Sequence, residues 1–196
     1  RFWDIKSGSV LLRGKDIRTV PIASLMDNIS MVFQRVYLFQ DTVYNNIAMG
    51  RMDATEEEVY EAARKARCYD FIMALPEGFQ TVIGEGGASL SGGEQQRISI
   101  ARCILKDAPI VILDEATASV DADNESQIQA AISELVQGKT LLVIAHRLHT
   151  IAKADQILVI NDGKISERGN HDSLLASEGL YCNMVRKRAS VTGFQK

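Results

Sequence analysis

Residues 90–97 read Leu90-Ser91-Gly92-Gly93-Glu94-Gln95-Gln96-Arg97. Ser91 offers a hydroxyl that can donate to a phosphate oxygen. Gly92 and Gly93 lack a Cβ, so the backbone there can come close to a ligand. Residues 94–105 hold no Gly or Pro and set Ile98, Ala101 and Ile104/Leu105 toward one side. The loop is therefore expected at a helix N-terminus, where free N–H groups and the helix dipole favour an anion. An ordinary serine N-cap followed by glycine would leave the same letters.

Farther on, Pro109 precedes the apolar run Ile110-Val111-Ile112-Leu113, which ends in Asp114-Glu115. A short apolar run of this kind reads as a parallel strand buried on both faces. Such strands present ligands at their carboxyl ends. Neighbours on a strand point to opposite sides, so the two acids need not share a role. One can hold Mg²⁺ through its water shell, and the other can orient or deprotonate an attacking water. Two solvated acids capping the next helix would look the same. A second strand, residues 140–145, ends in His146, a donor that titrates near neutrality. A third, Met31-Val32-Phe33, ends in Gln34.

The elements that must carry these groups alternate. Residues 1–33 give a helix end and a strand-rich edge. Gly14-Lys15-Asp16 fits a hairpin turn, and Asn161-Asp162-Gly163-Lys164 fits another. Thr55-Glu56-Glu57-Glu58 starts a helix with a capping pattern, with Val59, Ala62, Ala63 and Ala66 on its apolar side. Residues 97–170 return to strand–helix alternation, which implies a parallel sheet, with residues 122–136 as a crossover helix. After Gly169 a C-terminal helix opens at His171, a cap or packing group and not a ligand.

Taken together and in this order, the motifs resemble the nucleotide-binding domain of the ATP-binding-cassette (ABC) transporters, from about residue 7 to residue 181. Residues 90–94 match the signature loop, Gln34 the Q-loop, and residues 110–115 the Walker B strand. Ser119-Val120-Asp121 resembles the D-loop, and His146 the switch histidine. The resemblance implies an α/β fold: a P-loop-NTPase-type, mainly parallel sheet core with an inserted helical subdomain and an antiparallel β edge. It implies four regions. These are 1–35, partial core and β-subdomain; 36–96, helical subdomain with the signature loop; 97–185, α/β core; and 186–196, a C-terminal tail.

The same resemblance assigns catalysis to Glu115, His146 and Gln34. It assigns nucleotide contact to Ser91, Gly92, Gly93, Glu94 and Asp121, and the metal to Asp114 and Gln34. The cofactors would be ATP and Mg²⁺. The partners would be a second nucleotide-binding domain, head to tail, and a transmembrane domain through its coupling helices, at the cytoplasmic side of the cell membrane. Thr81-Val82-Ile83-Gly84-Glu85-Gly86-Gly87 and residues 39–47 look like exporter segments, the first being a coupling-helix contact. Exporters usually have Arg where Gly86 stands, Gln is commoner than Glu94, and Ser is frequent where His149 stands.

One motif of the family is missing. A P-loop needs Gly, four residues, then Gly-Lys-Ser/Thr. Gly14-Lys15 has Ser9 at the required offset, Gly138-Lys139 has Ser133, and Gly163-Lys164 is followed by Ile165. None qualifies. Arg1-Phe2-Trp3-Asp4 resembles the end of the helix that follows the P-loop, so the expectation is an N-terminally truncated cassette. Two other readings stand beside it. One is a non-catalytic partner that supplies a signature half-site in trans. The other is a non-transport ABC ATPase, which would need a coiled coil that the Gln34-to-Leu90 spacing cannot hold.

Composition agrees. With 196 residues and 46% hydrophobic content, one domain or a domain with a subdomain is expected. A net charge of −3 argues against a nonspecific nucleic-acid binder, which needs a basic face. Cys68, Cys103 and Cys182 are widely spaced, without metal-ligand spacing, which suits a reducing compartment.

Overall fold

The computed structural model describes residues 3–84, 88–114, 122–145 and 148–192. The chain divides into two compact units, Arg1–Ile144 and Ala145–Lys196, each treated by itself below.

The first unit opens on β1 (Leu11–Leu12) and β2 (Lys15–Asp16), an antiparallel hairpin. Its turn residues Arg13 and Gly14 both have positive φ, 49° and 77°, as a type I′ turn requires. Of the expected helix end Arg1-Phe2-Trp3-Asp4, Trp3 and Asp4 are not helical, and Arg1 and Phe2 lie outside the described residues.

Next come α1 (Ile22–Asp27) and β3 (Ile29–Val32). Then follow β4 (Asp41–Thr42), α2 (Val43–Ala48), α3 (Glu56–Lys65), α4 (Tyr69–Met73) and β5 (Val82–Ile83). The expected start of α3 is present: Thr55 and Glu58 form a reciprocal capping box. Helix α5 (Gly92–Lys106) leads into β6 (Ile110–Asp114), α6 (Ala122–Leu135) and β7 (Thr140–Ile144). Strands β3, β6 and β7 form a parallel sheet in that order, so the expected mixed α/β architecture is present.

Helix α5 holds this unit together. The single apolar side expected for it understates the case, because Gln96, Arg97, Ser99, Ile100 and Cys103 are buried as well as Ile98, Ala101 and Leu105. It runs antiparallel to β3. Gln96 donates to the Phe33 carbonyl at 3.4 Å, and Lys106 donates to the Ile29 carbonyl at 2.8 Å. Its N-terminus therefore lies at the edge of the sheet where β3 ends. The core beneath it combines Val32, Ile98, Val111, Leu113 and Ile128.

The second unit pairs β8 (Ile157–Asn161) with β9 (Lys164–Gly169) in an antiparallel hairpin. Asp162 and Gly163 take the positive-φ turn positions, 48° and 73°. Two helices follow, α7 (His171–Ala176) and α8 (Leu180–Thr192). Asn170, not His171, caps α7. His171 is a packing group, its Nδ1 2.8 Å from the buried Tyr181 hydroxyl. The helices separate at Glu178, whose φ is 52°. The Glu167 carboxylate then accepts from the Leu180 and Tyr181 N–H groups at the start of α8.

Candidate functional site

The parallel register aligns the carboxyl ends of the strands that precede Gln34 and carry Asp114. Val32 stands beside Leu113 and Asp114 beside Ile144. The ends of β3, β6 and β7 therefore line up, as crossover topology demands of a parallel sheet. Asp114 sits half-buried on the middle strand, and Gln34 lies exposed just past the end of β3. Glu115, Asp121 and His146 lie outside the described residues, as do Ser119, Val120 and Glu85-Gly86-Gly87.

Ser91 is the N-cap of α5. Its hydroxyl accepts from the Glu94 N–H at 3.3 Å and donates to the Glu94 carboxylate at 2.9 Å. Glu94 in turn accepts from the Ser91 N–H at 2.8 Å. The segment expected to face an anion is thus a serine N-cap closed on its own Glu94. The two glycines differ. A Cβ built on Gly92 meets nothing within 4 Å, whereas one on Gly93 would lie 2.6 Å from Asn124 Cγ. Gly92 keeps an open backbone, and Gly93 admits α6. Close approach of a ligand was the sequence-based reason for both, and at Gly93 intramolecular packing already requires the missing Cβ.

Two arrangements escape sequence reasoning. Asn46 is fully buried within α2. Its Oδ1 accepts from the Phe39 N–H at 2.9 Å, and its Nδ2 donates to the Phe39 and Thr42 carbonyls, both at 3.0 Å. Arg102 of α5 donates to the Asn46 carbonyl at 2.8 Å and to its Oδ1 at 3.2 Å. Burial lowers the Arg102 pKa. The segment after Gln34 is thereby tied to both helices. The available signal was an asparagine inside a helix, where its propensity is poor. The second arrangement joins Arg97 to Asn124, 27 positions apart, at 2.5 Å, with no local signal.

A cleft of about 470 Å³ opens between the segment after Gln34 and the approach to Ser91. Tyr37, Gln40, Gly84, Ser89 and Gln95 are among its lining residues. Tyr37 is 70% exposed and meets Phe39 edge-on at 5.0 Å. Among the described residues, no group of three or more His, Cys, Asp or Glu could hold a metal ion. The donors at the strand ends are instead the Asp114 carboxylate and the Gln34 amide. They suit a hard cation that keeps most of its waters. No helix among the described residues is long and apolar enough to cross a membrane.

Residues 2–118, more than half of the chain, match the family model described as ABC transporter. The chain is 55% identical over 181 residues to the ATP-dependent lipid A-core flippase of Syntrophus aciditrophicus (strain SB), covering 92% of the chain and 30% of that protein. It is 51% identical over 185 residues to the protein of the same name from Escherichia coli (strain K12), covering 94% and 32%. A solved bacterial Atm1-family ABC exporter with ATP bound superposes with a TM-score of 0.88 at 43% identity, over 96% of the chain and 33% of that structure. The chain spans about a third of the length of these relatives.

Proposed function

The chain belongs to the ABC transporter family of ATPases, and from that premise we propose that it is the ATP-hydrolysing cassette of an exporter that moves lipid A-core. The substrate class rests on the names of the flippases that share about half of its residues. The observation that carries the catalytic reading is the common edge. Asp114 ends β6 in register with β7, and Gln34 follows β3, whose Val32 pairs with Leu113 next to Asp114, which supports assigning both to one nucleotide.

In this reading the Asp114 carboxylate and the Gln34 amide oxygen hold Mg²⁺, which when bound neutralises charge on the phosphate oxygens. Glu115 accepts a proton from the water that attacks the γ-phosphorus, and the bond to the bridging oxygen breaks to release ADP. His146 donates to the γ-phosphate. Glu115 and His146 take these roles by resemblance. Ser91, Gly92, Gly93, Glu94 and Asp121 face the nucleotide held by a second cassette, head to tail. The cleft beside Tyr37 receives a coupling helix of the transmembrane domain, at the cytoplasmic side of the membrane.

A second reading applies to the 196 residues taken alone. They contain no Gly-x₄-Gly-Lys-Ser/Thr, so the main phosphate anchor is missing from this polypeptide. By itself it is then an inactive fragment that supplies a signature half-site. Micromolar ATP affinity of residues 1–196 by calorimetry would contradict that. The principal reading is tested in the transporter-length protein, reconstituted in lipid vesicles. Glu115→Gln is expected to bind ATP and to lose nearly all turnover, and wild-type turnover would remove Glu115 from its role. Failure of lipid A-core to stimulate ATPase would remove the substrate.

A further inference from the structure

The backbone on either side of Gln34 is held from one helix. Gln96 of α5, only 4% exposed, donates to the Phe33 carbonyl at 3.4 Å. Farther along α5, Arg102 donates to the Tyr37 carbonyl at 3.4 Å and to the Asn46 carbonyl at 2.8 Å. Farther still, Lys106 donates to the Ile29 carbonyl. The chain therefore approaches Gln96 as far as Phe33 and is back beside Arg102 by Tyr37. It reverses over Gln34, Arg35 and Val36, with bends at Gln34 and Arg35.

The two limbs of that reversal are secured differently. The incoming limb is β3, paired with β6 up to Val32. The return limb, Tyr37 to Gln40, lies outside any strand. Side chains fix it instead. Asn46 bonds both the N–H and the carbonyl of Phe39, and Arg102 donates to the Asn46 Oδ1 at 3.2 Å. The Arg102 guanidinium also lies 5.9 Å from the Phe39 ring centroid. One side chain thus joins the return limb and α2 to α5. A planar fork of donors can serve these acceptors together, whereas a lysine ammonium is a single point of contact.

We propose that Arg102 is a positioning residue for Gln34. It holds the return limb, and with it the apex from which the Gln34 amide is presented to the cation. The inference rests on the assignment of Gln34 to that cation in the cassette reading. Arg102 acts through backbone carbonyls, as groups that orient a metal ligand do from outside the coordination shell.

The test uses the transporter-length protein and a non-hydrolysable ATP analogue, its Kd read by calorimetry in Mg²⁺ and again in EDTA. Arg102→Met should weaken the Mg²⁺ value about tenfold, the scale of a lost orienting group, and leave the EDTA value unchanged. Arg102→Lys keeps the charge and one donor, so it guards against a misfolded Met variant, and it should lose affinity in the same Mg²⁺-dependent way. Gln34→Ala should show the same pattern. The double variant Gln34→Ala/Arg102→Lys should be no weaker than the worse single one, as groups acting through one contact require. Three results would overturn the role of Arg102: equal weakening of Arg102→Lys with and without Mg²⁺, no weakening in Arg102→Lys, or single losses that multiply in the double variant. A Gln34→Ala variant that keeps the full effect of Mg²⁺ would instead sink the assignment of Gln34 to the cation, so the two failures are separable.

Discussion

The hydroxyl of Ser91 and the carboxylate of Glu94 lie 2.9 Å apart, and that hydroxyl has one proton to give. The proton is committed to Glu94 at the helix N-terminus that the proposed mechanism offers to a phosphate. An internal carboxylate already sits where the helix dipole favours an anion. Engagement of a nucleotide therefore has to displace it.

Glu94→Gln should relieve that competition. The amide oxygen can still accept from the Ser91 N–H and hydroxyl, so the cap survives while the charge is lost. In the transporter-length protein, KM for ATP should fall by roughly threefold, since a like charge at this distance contributes a fraction of a kcal/mol to a few kcal/mol in an aqueous cleft. Glu94→Ala should instead lower helix stability by about 1 kcal/mol through loss of the reciprocal cap. An unchanged KM in Glu94→Gln would show that the carboxylate does not compete.

Asn46 should be the costliest single polar substitution. Asn46→Leu removes the partner of the Phe39 N–H and one of the acceptors of the Arg102 guanidinium, at a side chain that is fully buried. Leaving buried polar groups unpaired costs about 1–3 kcal/mol apiece. A loss of about 3 kcal/mol or more in urea unfolding is expected, and a loss under about 1 kcal/mol would mean that the segment repacks without it.

The buried thiols set an alkaline limit. Burial pushes Cys68 up to about 12 and Cys103 up to about 11, from an ordinary value of 9.0. Both folded values lie above the unfolded one, so the stabilisation is complete below about pH 9 and is lost as pH rises toward 11–12. Each thiol should cost roughly 1 kcal/mol per pH unit in that window. The urea midpoint should hold between pH 7 and 8.5 and fall by pH 10, and the fall should shrink in Cys68→Ala. A flat profile to pH 10.5 would rule this out. Native protein at pH 8 should also leave both thiols unalkylated until denaturant is added.

Much of this architecture was readable because its signals are local. The apolar run behind Pro109 and its terminal acid need only strand periodicity. Thr55 with Glu58, and the two Gly-containing hairpins, need only adjacent residues. What could not be read joins distant positions. The Arg97–Asn124 contact depends on how α5 crosses α6, and Asn46 depends on a loop that turns back on its own helix. Gly93 illustrates the boundary. A glycine in a phosphate-binding pattern invites a ligand explanation, yet the atom that would collide with its Cβ belongs to Asn124. The Ser91–Glu94 box was partly legible as a serine cap. Its consequence for the hydroxyl proton needed the observed distances.

Strand β7 carries the last prediction. Leu141, Leu142, Val143 and Ile144 are 41%, 51%, 36% and 47% exposed. Successive strand residues face opposite ways, so apolar side chains are presented on both faces. Among the described residues β7 pairs only with β6, which leaves its other edge without a neighbour. An apolar, unpaired, charge-free edge is a template for further strand pairing. The 196-residue polypeptide should therefore self-associate as its concentration rises through the micromolar range. Light scattering coupled to size exclusion reads this directly. Leu142→Lys with Ile144→Lys should restore a monomer without changing the far-ultraviolet circular dichroism, because both side chains are already exposed. A wild-type chain that stays monomeric at 100 µM (~100 µM being well above ordinary aggregation thresholds for exposed edges) would show that β7 is covered in solution.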